Sequence, residues 1–269
     1  MDKDMRTNQN TLPSSLCKEV RFTLPQSWQE LSQEDLRYVL RLLWLYNTDP
    51  DWKARVRTAA FLHFAHVRVE RETELGWLCR DDTGRSFILG KRMLPAVMAP
   101  LAWTQEPEKI SVRLEQAGNY KAVDFALREL KFGDYLQVEN FFQAFLQTSD
   151  ENVLRNMARL LYQVPDKGGA EDLKEEILFG VFLWYNSAKQ LLARTFSNFL
   201  KPANSEGSTV TAERLRESTL SQIRLLTKGD VTKQKYILEE IDTWTALAEL
   251  DALAKEADEI QRKYKHGKK

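Results

Sequence analysis

The chain has 269 residues, with 39 Lys and Arg set against 39 Asp and Glu, and its side chains are 43% hydrophobic and 29% charged. That balance excludes a global field of the kind that draws in DNA or an anionic membrane, and the length suits one large domain or two small ones. Two cysteines, Cys17 and Cys79, are too few for a disulfide framework, and no apolar run approaches the ~20 residues of a membrane helix.

The opening MDKDMRTNQN is polar and carries acids, so it has no signal-peptide apolar region. Only 11 Gly and 8 Pro interrupt the chain, which favours long helices over turn-rich β structure. After a polar segment over residues 1–18, Val20 to Leu24 alternates as V-R-F-T-L and predicts a short half-buried strand that Pro25 ends. Ser32 and Asp35 form a capping-box-like start for a helix carrying Leu36, Val39, Leu40 and Leu43, with Trp28 and Leu31 folding back onto its first turn. Asn47-Thr48-Asp49-Pro50 stops that helix, and a second is expected from about Asp51 to His66. Leu75–Cys79 and Ser86–Leu89 flank the turn-forming Asp81-Asp82-Thr83-Gly84 and predict a β-hairpin. Pro95, Pro100 and Pro107 space out an irregular stretch, and Ile110–Leu114 reads as one more short strand.

From Tyr120 the pattern is helical. Helices are expected over Tyr135–Gln147, over Glu151–Gln163 behind a Ser149-Asp150 cap, and over Glu171–Leu200 with acids in its first turns. Residues 201–210, KPANSEGSTV, read as a linker, Thr211 caps a helix ending at Thr227, and a last helix runs from about Thr232 to Lys265. In it Leu250, Leu253, Ala257, Ile260 and Tyr264 step by three and four, a short coiled-coil-like seam. The expected fold is mainly α: a loose segment over 1–18, a helical domain over 19–200 with a small β element in its N-terminal third, a linker over 201–210, and a C-terminal helical pair with a basic tail over 211–269.

Candidate sites are few. His63 and His66, with Glu70 four residues on, share one face if the helix continues, but zinc needs further ligands and the one remaining histidine lies in the terminal tail. No HExxH, CxxC, GxSxG or GxxxxGK[ST] occurs, and Cys79 reads as a core thiol. No catalytic residue, metal ligand or cofactor-binding residue is assigned, and the expectation is a protein that is not an enzyme. The C-terminal QRKYKHGKK gathers Arg262, Lys263, Lys265, Lys268 and Lys269 without an acid, a cluster that phosphate backbones attract. Phe179, Phe182, Trp184, Tyr185, Phe196 and Phe199 span too much of a helix circumference for one core stripe. With Phe179, Phe182 and Phe196 turned to the core, Trp184 or Tyr185 is left over, so Phe179, Phe182, Trp184 and Tyr185 mark a candidate protein-interaction surface.

The run Phe22-Thr23-Leu24-Pro25-Gln26-Ser27-Trp28-Gln29-Glu30-Leu31-Ser32 resembles the LP-x-SW-x-EL-[ST] start of helical proteins of phage and prophage tail modules. FFQAFLQTSDENVLRNMARLLY (141–162) and LFGVFLWYNSAKQLLARTFSNFL (178–200) are similar in style to such proteins, many of them tail-assembly chaperones or tail accessory proteins. The resemblance implies a non-enzymatic protein of the bacterial host cytoplasm or the virion. Its partners would be phage structural proteins of tail-tube or tape-measure type, with no membrane and no cofactor. The alternative from another class is a nucleic-acid-associated phage protein using the basic tail, and a third reading is a helical enzyme built on His63, His66 and Glu70.

Overall fold

The computed structural model describes residues 20–164, 168–169, 173–201 and 211–266; Cys17, residues 202–210 of the expected linker, Lys268 and Lys269 lie outside them. The fold is mainly α with small antiparallel strand elements. Two compact units divide the chain: one takes Met1–Glu30 with Tyr46–Gln105, the other Leu31–Leu45 with Glu106–Lys269. This division cuts across the one expected from sequence, because residues 31–45, 106–201 and 211–266 share a unit.

In the first unit, helix α1 (Gln33–Tyr46) contributes only its last residue, and α2 (Trp52–Phe64) is the main helix. Val20–Leu24 forms no strand; it is held by side chains, with Phe22 edge-on to Phe61 at 5.2 Å and 6.1 Å from Phe87. Trp28 is buried with its ring 4.7 Å from Trp103, whose indole N–H donates to the Pro25 carbonyl at 3.0 Å. The opening motif is thus anchored on the irregular proline stretch, here α3 (Leu94–Met98) and a 3-10 helix (Ala99–Gln105).

The expected hairpin is present as β2 (Gly76–Asp81) and β3 (Ser86–Gly90), and β1 (Val67–Thr73) adds a third strand in the order β1-β2-β3. Asp81 builds the turn: one carboxylate oxygen accepts the Thr83 and Arg85 N–H groups and the Thr83 hydroxyl. Cys79 sits opposite Val69 and Phe87, and Val67, Cys79, Phe87 and Leu89 are buried. The helix ends at Phe64 because His66 turns left-handed at φ 51°, after which V-R-V-E-R-E-T takes up the two-residue alternation of a strand.

The second unit starts at α1, whose Ser32 hydroxyl accepts the Asp35 N–H at 3.1 Å and donates to its carboxylate at 2.7 Å, the expected capping-box-like start. Ile110–Leu114 is no strand, although Ile110 and Leu114 are buried; the Leu114 carbonyl accepts the Tyr162 hydroxyl at 2.7 Å. The strands fall later, as β4 (Gln116–Ala117) and β5 (Tyr120–Ala122), joined through Gly118 at φ 64°. Next come α4 (Phe132–Thr148), α5 (Glu151–Leu161), β6 (Tyr162–Val164) and β7 (Gly168–Gly169), and the second sheet runs β4-β5-β6-β7. Asp150 caps α5 as expected, accepting the Asn152 N–H at 2.9 Å.

Helix α6 (Glu175–Thr195) is central and buries nine residues, among them Val181, Trp184, Tyr185 and Leu192. Gly180 lets it approach α1, since a Cβ there would stand 2.7 Å from Leu40 Cδ1. Thr211 caps α7 (Ala212–Thr227), its hydroxyl accepting the Arg214 N–H at 3.3 Å. The long last helix splits into a 3-10 turn (Val231–Lys233), α8 (Gln234–Glu239) and α9 (Thr243–His266). The break has a clear cause: the Ile241 carbonyl accepts the Phe132 N–H at 2.9 Å, and Asp242 recaps the helix through the Thr245 N–H at 2.9 Å. The last helix thus packs on α7 in two pieces, α8 and α9. Trp244 donates to the Ala126 carbonyl at 2.6 Å, Trp184 to the Phe125 carbonyl at 3.0 Å, and Thr243 to the Leu130 carbonyl at 2.8 Å. One loop, 123–131, is thereby fixed by α6 and α9 together.

Candidate functional site

The aromatic residues singled out on α6 divide in the opposite sense to the one expected. Trp184 and Tyr185, the two left over by the helix stripe, are 1% and 0% exposed. Phe179 and Phe182 are the half-buried ones, Phe179 lying 5.9 Å from Trp44 and Phe182 stacking 5.4 Å from Phe142. The reason lies in their polar ends: the Trp184 indole has the Phe125 carbonyl and the Tyr185 hydroxyl has the Glu139 carboxylate, so both go inside at little loss. Burial takes Trp184 and Tyr185 away from any partner's reach.

The other candidates do not converge. His66 is an exposed residue 3.4 Å from Asp82, Glu70 on β1 pairs with Arg80 at 2.6 Å, and the His63 ring packs on Phe64. Among the described residues no three His, Cys, Asp or Glu side chains are placed to hold a metal. Cys79 is a buried free thiol whose pKa is raised by desolvation first and by Glu70 second, which keeps it protonated. Arg262 and Lys263 are exposed on the last turns of α9, where Asp258 and Glu259 accompany them; Lys265 lies in the same helix. No helix among the described residues is long and apolar enough to cross a membrane.

Two features that the sequence reading missed lie beside α7. The first is a polar cluster between α4 and α6. One Glu139 carboxylate oxygen accepts Lys189 Nζ at 2.6 Å and Gln143 Nε2 at 2.8 Å, and the other accepts the Tyr185 hydroxyl at 2.9 Å. Lys189 also stands over the Phe142 ring, 4.7 Å from its centroid. Desolvation foremost, and Glu139 next, push the Tyr185 hydroxyl well above its ordinary pKa, so it remains a donor. The sequence carries a signal for this cluster: Glu139 and Gln143 are four residues apart in an otherwise aromatic segment, and Tyr185 and Lys189 repeat the spacing. A cavity of about 390 Å³ opens against it, lined by Tyr135, Leu136, Glu139 and Asn140 of α4, by Lys189, Leu192 and Ala193 of α6, and by Leu215, Ser218, Thr219 and Gln222 of α7.

The second feature is apolar. Leu220 and Leu225 of α7, Val231 and Tyr236 are exposed, Leu220 by 53% and Val231 by 79%. Leu220 borders two clefts, one of about 290 Å³ shared with Asn140 and Ala144 and one of about 380 Å³ shared with Ile223 and Val231. Helix α7 therefore leans on α4 and α9 along one edge and leaves open furrows on its flanks. An apolar ridge between open furrows is the form a partner's side chains fit. No protein-family model, no curated protein and no solved structure matches the chain.

Proposed function

We propose that this chain is a non-enzymatic phage or prophage tail-assembly or structural protein that acts through protein–protein contacts, with α7 and the turn into α8 as its docking face. The observation that carries the contact reading is the exposure of Leu220 and Val231 beside the two clefts. Large aliphatic side chains set side by side in water at the rim of open clefts are the arrangement that partner binding covers. The tail-module class rests on the resemblance of residues 22–32, 141–162 and 178–200.

Co-purification of the tagged chain from cells carrying its native gene neighbours, with partners identified by mass, tests both parts. Recovery of a tail-tube or tape-measure protein by the wild type, and its loss with the double variant Leu220→Asp, Val231→Asp, is the expected result. Recovery of the same partner by the variant sinks the docking face. Recovery of no phage structural protein sinks the tail-assembly reading.

A further inference from the structure

The cavity between α4, α6 and α7 carries a second and independent inference. Its apolar walls are Leu136, Leu192, Ala193, Leu200 and Leu215, and its volume of about 390 Å³ falls in the range of small-molecule pockets. On one side stands the Glu139–Lys189 pair, with side chains 23% and 27% exposed. Beside it is Tyr135, which is 5% exposed and, among the described residues, has no hydrogen-bond partner for its hydroxyl, although it lines the cavity. That hydroxyl is open to solvent rather than sealed in the core, so an acceptor in the cavity can reach it.

The chemistry of the occupant follows from which groups are spent. Glu139 already accepts three hydrogen bonds, from Lys189, Gln143 and Tyr185, so it has little left for a ligand cation. Lys189 gives one N–H to Glu139 and keeps two more, and Tyr135 keeps its O–H, held protonated by desolvation and then by the neighbouring Glu139 charge. Lys201 adds a second cation to the lining, tethered to Asp258 at 2.6 Å. Each ammonium is balanced by its own carboxylate, so an occupant meets the spare N–H groups of Lys189 and the Tyr135 O–H; a carboxylate accepts two such donors at once, and leucine walls select an apolar body.

We infer that this cavity binds a small carboxylic acid with an aliphatic or aromatic body, its carboxylate accepting from the Tyr135 hydroxyl and the Lys189 ammonium.

Calorimetric titration of the full chain with decanoate, 1-decanol and decylamine, at concentrations below micelle formation, tests the inference. Decanoate is expected to bind saturably, 1-decanol at least about tenfold more weakly, and decylamine more weakly still. Tyr135→Phe removes one hydroxyl that holds nothing in the free protein. It is expected to weaken decanoate about tenfold while leaving the melting temperature unchanged or higher. Ala193→Phe fills the cavity and is expected to abolish binding. The inference is overturned if decanoate does not bind, if decanol or decylamine binds as well as decanoate, or if either variant binds decanoate like the wild type.

Discussion

Helices α6 and α7 belong to the same unit and both carry large apolar residues at helical spacing, yet they do opposite work. α6 has neighbours on several sides: α1 at Gly180, α4 at Tyr185 and the 123–131 loop at Trp184. It therefore buries nine residues, whereas α7 carries Leu215, Leu220, Ile223, Leu225 and Leu226 and buries only Ile223 among them. The lesson is that apolar content does not say whether a helix is scaffold or surface; the number of elements packed against it does. Scaffold helices lose stability when altered, and surface helices lose partners.

That contrast can be broken experimentally, and the largest effect is expected on α6. Trp184→Ala removes a fully buried indole together with its bond to the Phe125 carbonyl, and should cost about 3–5 kcal/mol in urea unfolding. Next comes Glu139→Ala, which strands the Lys189 ammonium and the Tyr185 hydroxyl between α4 and α6; a loss of about 2–3 kcal/mol is expected by the same measurement.

A smaller and pH-dependent effect belongs to Asp251, which ties α9 to the end of α6 by accepting the Asn198 and Phe199 N–H groups at 2.8 and 3.0 Å. Burial alone raises its pKa, but the Asn198 side chain and the two backbone N–H groups outweigh it and hold the carboxyl below its ordinary value. A depressed folded value means the carboxylate stabilises the fold above the ordinary range and stops doing so as pH falls through the folded value. The difference in urea midpoint between wild type and Asp251→Asn should thus stay constant from about pH 7 to pH 5 and shrink below about pH 4. The smallest effect is expected on α7: Leu220→Ser with Val231→Ser should change stability by no more than about 0.5 kcal/mol. A loss of 2 kcal/mol or more there, on the order of a core truncation, would erase the distinction between the two helices.

Helix starts with local signals were legible in the sequence. Ser32, Asp150 and Thr211 each cap where the pattern places them, because a cap is a bond between residues two or three positions apart. The hairpin turn at Asp81–Gly84 was legible for the same reason. Features decided by distant partners were not. V-R-F-T-L alternates like a strand, but Phe61 and Phe87 hold it through Phe22, with no ladder. The expected helix over 232–265 breaks because Phe132, more than a hundred residues away, takes the Ile241 carbonyl. At the candidate site, the aromatic content of α6 was plain, but which rings face inward depends on a carboxylate on α4 and a loop carbonyl. The cavity is harder still, since it exists only where three helices fail to close.

The loop over residues 123–131 bears on how the chain reaches its folded state. Its carbonyls at Phe125, Ala126 and Leu130 wait for donors on Trp184, Trp244 and Thr243, separations of 59, 118 and 113 residues. Contacts of that span are entropically late, because much of the chain must be ordered before they close. As the polypeptide lengthens, the Phe125 carbonyl has its donor once Trp184 is made, whereas the Ala126 and Leu130 carbonyls have theirs only once residues 243 and 244 are. Helix α9 thus acts as the bolt that locks elements made long before it.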